Sequence, residues 1–440
     1  MQGAGENTSG RLVERFFSGS VPRFLANLVL VTALTPYLAP MPWPQMNVQW
    51  TSPVVSAVAV LLFCVIAPRE VSFTRTDAFL LLSGVVMLCY VRIGPSTESP
   101  EALLRACGTM LLAFPTYYAV KTFYRYMSPR LFVFVVGFYL AVLILELVSF
   151  SIYQAIFSHF LSEIRRDVEF GRGPNGLCNE ASMMGDMSVL FAIAPYFFFP
   201  EYWKTHRRLL VLVVGASVLM LIISGSATGI VLGAAVALTA AAVSPLKKKY
   251  KMIGLAVLIA VAIAIGGIVK EGESRGSMFI AAVSENPMIV LEDPSFAERF
   301  LGIFIDVYSF PKAPFGTGEA ILDISLASRA WGSTLMSTIW PDQILRDYVW
   351  SVRMTKDTGA SISDTLLRMG ISGYLILVGV FGLIRGFRGR NVVRLFLAAL
   401  LLNASFFIST FWFVIGCSVA MWEGSKVKGD AADAVNTTRR

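Results

Sequence analysis

Three arginines stand just ahead of a glycine-rich turn in Arg165-Arg166-Asp167-Val168-Glu169-Phe170-Gly171-Arg172-Gly173-Pro174-Asn175-Gly176-Leu177-Cys178-Asn179-Glu180. A guanidinium presents forked donors that match phosphate oxygens, so Arg165, Arg166 and Arg172 are candidates for gripping an anion. Their competing use is a solvated face paired with Glu163, Asp167 and Glu169. Asn179 is placed to cap the following helix, with Glu180 in its first turn. A second set begins at Asp293-Pro294-Ser295-Phe296-Ala297-Glu298, where an early proline and a Ser-x-x-Glu box predict a helix over Ser295–Phe310. Arg299 and Asp306 share one face of it, and Pro311-Lys312-Ala313-Pro314-Phe315-Gly316-Thr317-Gly318 follows. Gly316 and Gly318 permit close backbone approach to a ligand, although Gly-x-Gly alone more often marks a turn. Asp364 has Arg368 four residues on, which reads either as a helical ion pair or as a carboxylate held as a general base.

Other chemistries lack their residues. His159 and His206 are the only histidines, and neither sits in a metal-ligand spacing. There is no Gly-x-Ser-x-Gly elbow and no P-loop. Cys64, Cys89, Cys107 and Cys417 lie in apolar runs, with Cys178 near a polar loop, and all five read as small buried hydrophobes. No metal and no cofactor is expected.

The elements that position these residues follow from composition. Of 440 residues 55% are apolar and only 15% charged, with mean hydropathy +0.66, whereas soluble domains carry roughly 25% charged residues. Such a chain cannot face water on all sides. It reads as an all-α polytopic membrane protein, a single integral membrane domain over 1–440, and a cytosolic enzyme or disulfide scaffold is excluded. A span needs about 20 mostly apolar residues. The spans are Phe24–Ala39, Ser52–Ala67, Ala78–Ile93, Glu101–Val120, Leu131–Ile152, Ala181–Pro200, Leu209–Ser224, Gly225–Val243, Met252–Ile268 and Ser363–Ile384. Val392–Trp422 is long for one helix and tight for two; with a break near Asn403–Thr410 the count is twelve, and otherwise eleven.

Nineteen of the 37 basic residues fall in the N-terminal segment and alternate short loops, which makes that side cytoplasmic. The net charge of +8 therefore orients the chain, and no nucleic-acid partner is implied. The opposite, periplasmic side carries two long loops, 153–180 and 270–362, and connections of that length usually have a function. The second loop has eight basic and twelve acidic residues, so an anion site there must be a local cluster of arginines such as Arg275 and Arg299. Glu146, Arg105 and Asp186 fall within spans, where charge is costly and marks functional candidates. Each also has a bland use: helix pairing for Glu146, snorkelling for Arg105, and a hydrogen bond from Ser182 for Asp186.

The layout resembles the Wzy-type polysaccharide polymerases, within the O-antigen polymerase and ligase superfamily. Arg172-x-x-x-Gly176-Leu177-x-x-Glu180-x-Ser182 resembles the family's Arg…Gly…Glu-Pro-Ser segment, and Arg165 and Gly176 have its Arg-x10-Gly spacing. Arg299 through Pro314-Phe315-Gly316-Thr317-Gly318 resembles the Arg…Pro-x-x-Gly-x-Gly segment of the large outer loop. Asp364 to Tyr374 resembles the helix after that loop, and Ser224-Gly225-Ser226-Ala227-Thr228-Gly229 a small-residue hairpin before it. Ala181 replaces the proline of Glu-Pro-Ser, and Gly359-Ala360-Ser361 stands where the ligase branch carries a histidine.

The resemblance implies a GT-C-like fold in the bacterial inner membrane and a metal-independent glycosyltransferase that polymerises undecaprenyl-pyrophosphate-linked repeat units at the periplasmic face. Arg172 and Arg299, with Arg165, Arg166, Arg275 and Lys312 in support, would meet the diphosphate; Glu180 or Asp364 would be the base; Gly316 and Gly318 would admit the substrate. The implied partners are lipid-linked glycans, the bilayer, a flippase and a chain-length regulator. The alternatives are a transporter or flippase of an anionic lipid or solute using Glu146, Asp186 and Arg105, and an O-antigen ligase, against which the missing histidine counts.

Overall fold

The computed structural model describes residues 6–38, 51–90, 114–161, 173–243, 285–286, 303–305, 307–308, 310–316, 329, 331–339, 341–344, 346–347, 365–366, 369–403 and 408–437, with backbone alone at 6–19, 227, 335, 402–403 and 426–437. Long apolar runs that satisfy their own backbone must be helical, and the described chain is helical with no strand; one isolated bridge joins Leu38 to Leu161.

The helices are α1 Glu6–Leu34, α2 Thr51–Ile66, α3 Arg75–Cys89, α4 114–123, α5 Pro129–Val148, α6 Phe150–Phe157 and α7 Ala181–Ile193. Then come α8 Pro200–Thr205, α9 Arg207–Ser224, α10 Ala227–Val243, α11 Thr334–Ile339, α12 Ile371–Leu383, α13 Arg390–Asn403 and α14 Ser409–Thr437. Helices α5 and α9 are long and apolar enough to cross a membrane; Ser20–Leu34, α2, Thr228–Ala242 and α12 are shorter apolar helices. Bulky apolar side chains stay uncovered on the outside, Val65 at 83% and Phe134 at 66%, an apolar surface larger than a chain that faces water usually shows. The expected span Met252–Ile268 lies outside the described residues, and Glu101–Val120 is described only from residue 114.

The core is built around α7, which packs against α9, α10 and α13 and is buried on nearly every side. Close approach there needs small residues: a Cβ on Gly185 would lie 2.8 Å from the Cα of Gly229.

Four expected spans are divided. Ser363–Ile384 is interrupted at Gly370, whose φ of +51° comes just before α12, with residues 365–366 helical ahead of it. Leu131–Ile152 ends as α5 at Val148, where the Ser149 backbone leaves the helical region (φ −148°, ψ 89°) and α6 starts afresh with Tyr153 and Phe157 inward and Ile152 and Ile156 outward. Ala181–Pro200 stops at Ile193, because Pro195 has no N–H to continue the ladder and Ala194–Tyr196 tightens into a 3-10 turn. Val392–Trp422 takes in most of α13 and the first half of α14, which run in opposite directions. The Ser409 hydroxyl donates to the carbonyl of Ala33 near the end of α1, while Trp422 and Glu423 return to Arg385 and Lys121.

Candidate functional site

Two loop segments are fastened to helix ends. The first is the limb entering α7. Glu146, late in α5 and buried, accepts hydrogen bonds at one carboxylate oxygen (Oε2) from the backbone N–H of Asn175 (2.9 Å) and of Gly176 (2.6 Å). The Tyr153 hydroxyl donates to the carbonyl of Gly176 (2.6 Å). Burial, with the Glu146 charge beside it, pushes the Tyr153 hydroxyl pKa up, so it remains a donor. The turn closes with Cys178 N–H to the Asn175 carbonyl (3.0 Å) and Asn175 Nδ2 to the Asn179 carbonyl (3.3 Å). Gly176 has φ +60°, and a Cβ on Gly173 would lie 2.1 Å from the Ser224 carbonyl oxygen, so both positions need glycine. The limb is thus seated against the Ser224–Gly229 hairpin.

Two expectations about this limb are corrected. Glu180, not Asn179, is the residue preceding α7, with extended backbone and no side-chain cap bond, because Asn179 is drawn into the preceding turn. Ser182 donates to Glu180 (3.2 Å) rather than to Asp186, its hydroxyl pointing back toward the helix start. Cys178 is buried; burial first, then Asp186 and Glu146, pushes its thiol well up, which removes it as a thiolate nucleophile.

The second fastening joins the large outer loop to α12. The Ile371 N–H donates to the carbonyl of Pro314 (2.8 Å), and Gly316 N–H to the carbonyl of Ala313 (2.9 Å). Gly370 has φ +51°, and a Cβ there would lie 2.1 Å from the Pro314 oxygen. Lys312 is exposed, its ammonium 3.9 Å from the centre of the Tyr308 ring, a cation–π contact. The Tyr90 hydroxyl at the end of α3 meets the Ser372 hydroxyl at 3.0 Å.

Of the ten residues singled out by sequence, Glu180 belongs to the first fastening, and Lys312 and Gly316 to the second. Arg165, Arg166, Arg172, Arg275, Arg299, Gly318 and Asp364 lie outside the described residues, as do Arg105 and Arg368. Within loop 270–362, the helix expected over Ser295–Phe310 is described at 303–305 and 307–308, both helical, and at Phe310, which is already in a turn.

Sequence reading missed a third cluster. Lys121, buried in the last turn of α4, bridges Asp77 (2.5 Å) and Glu423 (3.2 Å). Asp77 also accepts from the Tyr117 hydroxyl (2.7 Å) and, in a capping box at the start of α3, from the backbone N–H of Thr74 (2.6 Å). The Thr74 hydroxyl has Asp77 and Glu423 oxygens at 2.8 and 3.1 Å. In sequence Lys121 is one of the nineteen basic residues of the N-terminal segment and short loops. A usable signal was present: Asp77 and Lys121 both stand at span ends on the same expected side. Among the described residues, no three His, Cys, Asp or Glu side chains are grouped to hold a metal ion.

Helix direction fixes where these features sit. The Lys121 cluster lies at the start of α3, whereas the Pro314–Gly370 fastening adjoins its far end through Tyr90. The Glu146 fastening lies late in α5, far from the start of α5 that follows Lys121 in the chain. Both loop fastenings therefore occupy one end of the bundle and the ionic cluster the other. Compared with protein-family models, curated proteins and solved structures, the chain matches none.

Proposed function

We propose that this chain is a polytopic glycosyltransferase of the bacterial inner membrane. It polymerises undecaprenyl-pyrophosphate-linked oligosaccharide repeat units at the periplasmic face. The observation that carries the reading is the shared end: the Gly173–Glu180 limb and the Pro314–Gly316 segment, separate in sequence and each singled out by resemblance, are both anchored at the same end of the helical bundle. The out-and-back course of α13 and α14 favours twelve spans with both termini cytoplasmic, which puts the Lys121 cluster on the cytoplasmic side.

In the reaction the hydroxyl oxygen of the incoming lipid-linked unit attacks the anomeric carbon of the growing glycan. The bond from that carbon to the diphosphate oxygen breaks, and lipid diphosphate leaves. Arg172 and Arg299 neutralise the charge developing on the leaving oxygen, with Arg165, Arg166, Arg275 and Lys312 adding positive potential. Glu180 or Asp364 takes the hydroxyl proton. Diphosphate is a good leaving group once its charge is met, so the chemistry needs no Lewis acid.

The test is polymer length on a gel from a strain lacking this gene, complemented with wild type, Arg172→Ala or Arg299→Ala at matched membrane abundance. The expected result is long chains with wild type and single repeat units with either variant. Unchanged chain length in the deletion strain, with a lipid or solute no longer crossing the membrane, would overturn the polymerase reading in favour of transport.

A further inference from the structure

The Glu146 contacts bear on how the first outer loop is set. A carboxylate buried within a helical bundle is costly unless its lone pairs are used. Here one oxygen takes the N–H groups of two consecutive loop residues, Asn175 and Gly176, at 2.9 and 2.6 Å. The next group along the main chain, the Gly176 carbonyl, is taken by Tyr153 at 2.6 Å. On the other flank Gly173 lies directly on the Ser224 carbonyl at the end of α9. The turn Gly173–Gly176 is therefore gripped from α5, α6 and α9 at once. These contacts are to its backbone, so they set where the chain runs, and glycine at 173 and 176 is what lets the turn fit. The gripped segment is short, and it is bonded directly to Arg172 on one side and leads within four residues to Glu180 on the other.

We propose that Glu146 is a positioning residue for the polymerase reaction: its carboxylate presets the Gly173–Gly176 turn so that Arg172 meets the sugar–diphosphate bond. This role rests on the polymerase reading. Glu146 itself does not touch substrate. Its effect passes through the turn to the arginine, with Tyr153 as the weaker second grip. A glutamine at 146 keeps an acceptor oxygen but loses the charge that draws both amides to one atom.

The experiment uses the purified full-length protein in nanodiscs, with lipid-diphosphate-linked repeat units extracted from the deletion strain as substrate. Rates are normalised to monodisperse protein for wild type, Glu146→Gln, Tyr153→Phe, Arg172→Lys and the double variant Glu146→Gln/Arg172→Lys. Misplacing a catalytic group costs rate rather than affinity, so Glu146→Gln is expected to lower kcat about tenfold, with KM within about twofold of wild type. Tyr153→Phe should lower kcat in the same manner, by about threefold. Because Glu146 acts through Arg172, adding Glu146→Gln to Arg172→Lys should cost little beyond the single lysine change. A purely architectural role would lower the yield of folded protein and leave normalised kcat at the wild-type value.

Normalised kcat unchanged in Glu146→Gln, or the same loss in both backgrounds, overturns the positioning role while the polymerase reading stands. If Glu146→Gln yields no monodisperse protein, Tyr153→Phe decides: an unchanged kcat overturns the role. No chain extension by wild type overturns the polymerase reading, and the role with it.

Discussion

The two ends of the bundle each bury a carboxylate and use it differently. At one end Asp77 is met by side chains: the Lys121 ammonium, the Tyr117 hydroxyl and the threonine of its own capping box, with Glu423 of α14 closing on Lys121. Every one of those partners is on, or at the end of, a helix. At the other end Glu146 receives main-chain N–H groups of a loop. Side-chain networks between helices fix how the helices stand against one another. A carboxylate that takes loop amides fixes where a loop runs. The first arrangement serves the scaffold, and the second serves whatever the loop carries.

The largest expected effect tests the scaffold side of that contrast. In Lys121→Met, Asp77 keeps its hydroxyl and N–H donors but loses its cation in a site where its side chain is fully buried. Removing one partner of a buried pair costs about 3–5 kcal/mol. Thermal unfolding in nanodiscs should show a large drop in midpoint for the single variant, much of it recovered in Lys121→Met/Asp77→Asn, where the fully buried charge is gone and only the partly exposed Glu423 is left without its cation. Activity per folded molecule should stay near wild type. A fall in that normalised activity would erase the distinction between the two ends.

The glycines at the loop fastenings should behave in the opposite way. Gly370→Ala puts a methyl group 2.1 Å from the Pro314 oxygen at a backbone conformation that L residues rarely adopt. Backbone strain of that kind costs about 1–3 kcal/mol, and the cheapest relief is release of the Ile371–Pro314 hydrogen bond. The large loop should then be cleaved faster by an external protease, and polymer length should fall while the unfolding midpoint shifts little. Gly173→Ala, facing the Ser224 carbonyl, should show the same pattern. A large midpoint shift in both would make these contacts scaffold as well.

Sequence revealed the helices more readily than their joints. Apolar runs locate α2, α5, α9 and α10 to within a few residues, because a long apolar run must close its own backbone hydrogen bonds and does so as a helix. The same continuity hid the break at Ser149, since a helix that turns aside is as apolar as the one it leaves. Pro195 did carry a signal for the end of α7, in a stretch whose length alone favoured one uninterrupted span. Eight of the ten site candidates rest on side-chain charge and two, Gly316 and Gly318, on backbone access; three of the ten fall on described segments at one end. What could not be read was the grip: Glu146 was visible as an unusual charge, but among the described residues it is met by backbone amides, which every residue except proline possesses. Lys121 was hidden for another reason. It is one of the nineteen basic residues that orient the chain, which says nothing of burial, whereas the structure buries it between two acids.

The smallest effect calibrates the comparison at the Lys121 end. Arg125 and Tyr126 both bond Glu70 near the same helix ends, yet this pair is open to water, with side chains 60% and 39% exposed for Arg125 and Glu70. Burial and the Glu70 contact raise the Tyr126 hydroxyl pKa, so it stays a donor to whatever acceptor stands at 70. Glu70→Gln keeps that acceptor and removes only a screened ion pair, for which less than about 1 kcal/mol is expected. Its small contribution should vanish further as salt is raised, whereas the loss in Lys121→Met should persist, because buried charges are poorly screened. Two ion pairs a few residues apart would then differ severalfold in effect. That gap is what burial predicts, and equal midpoint shifts in the two variants would show that the Lys121 cluster is as wet as its neighbour.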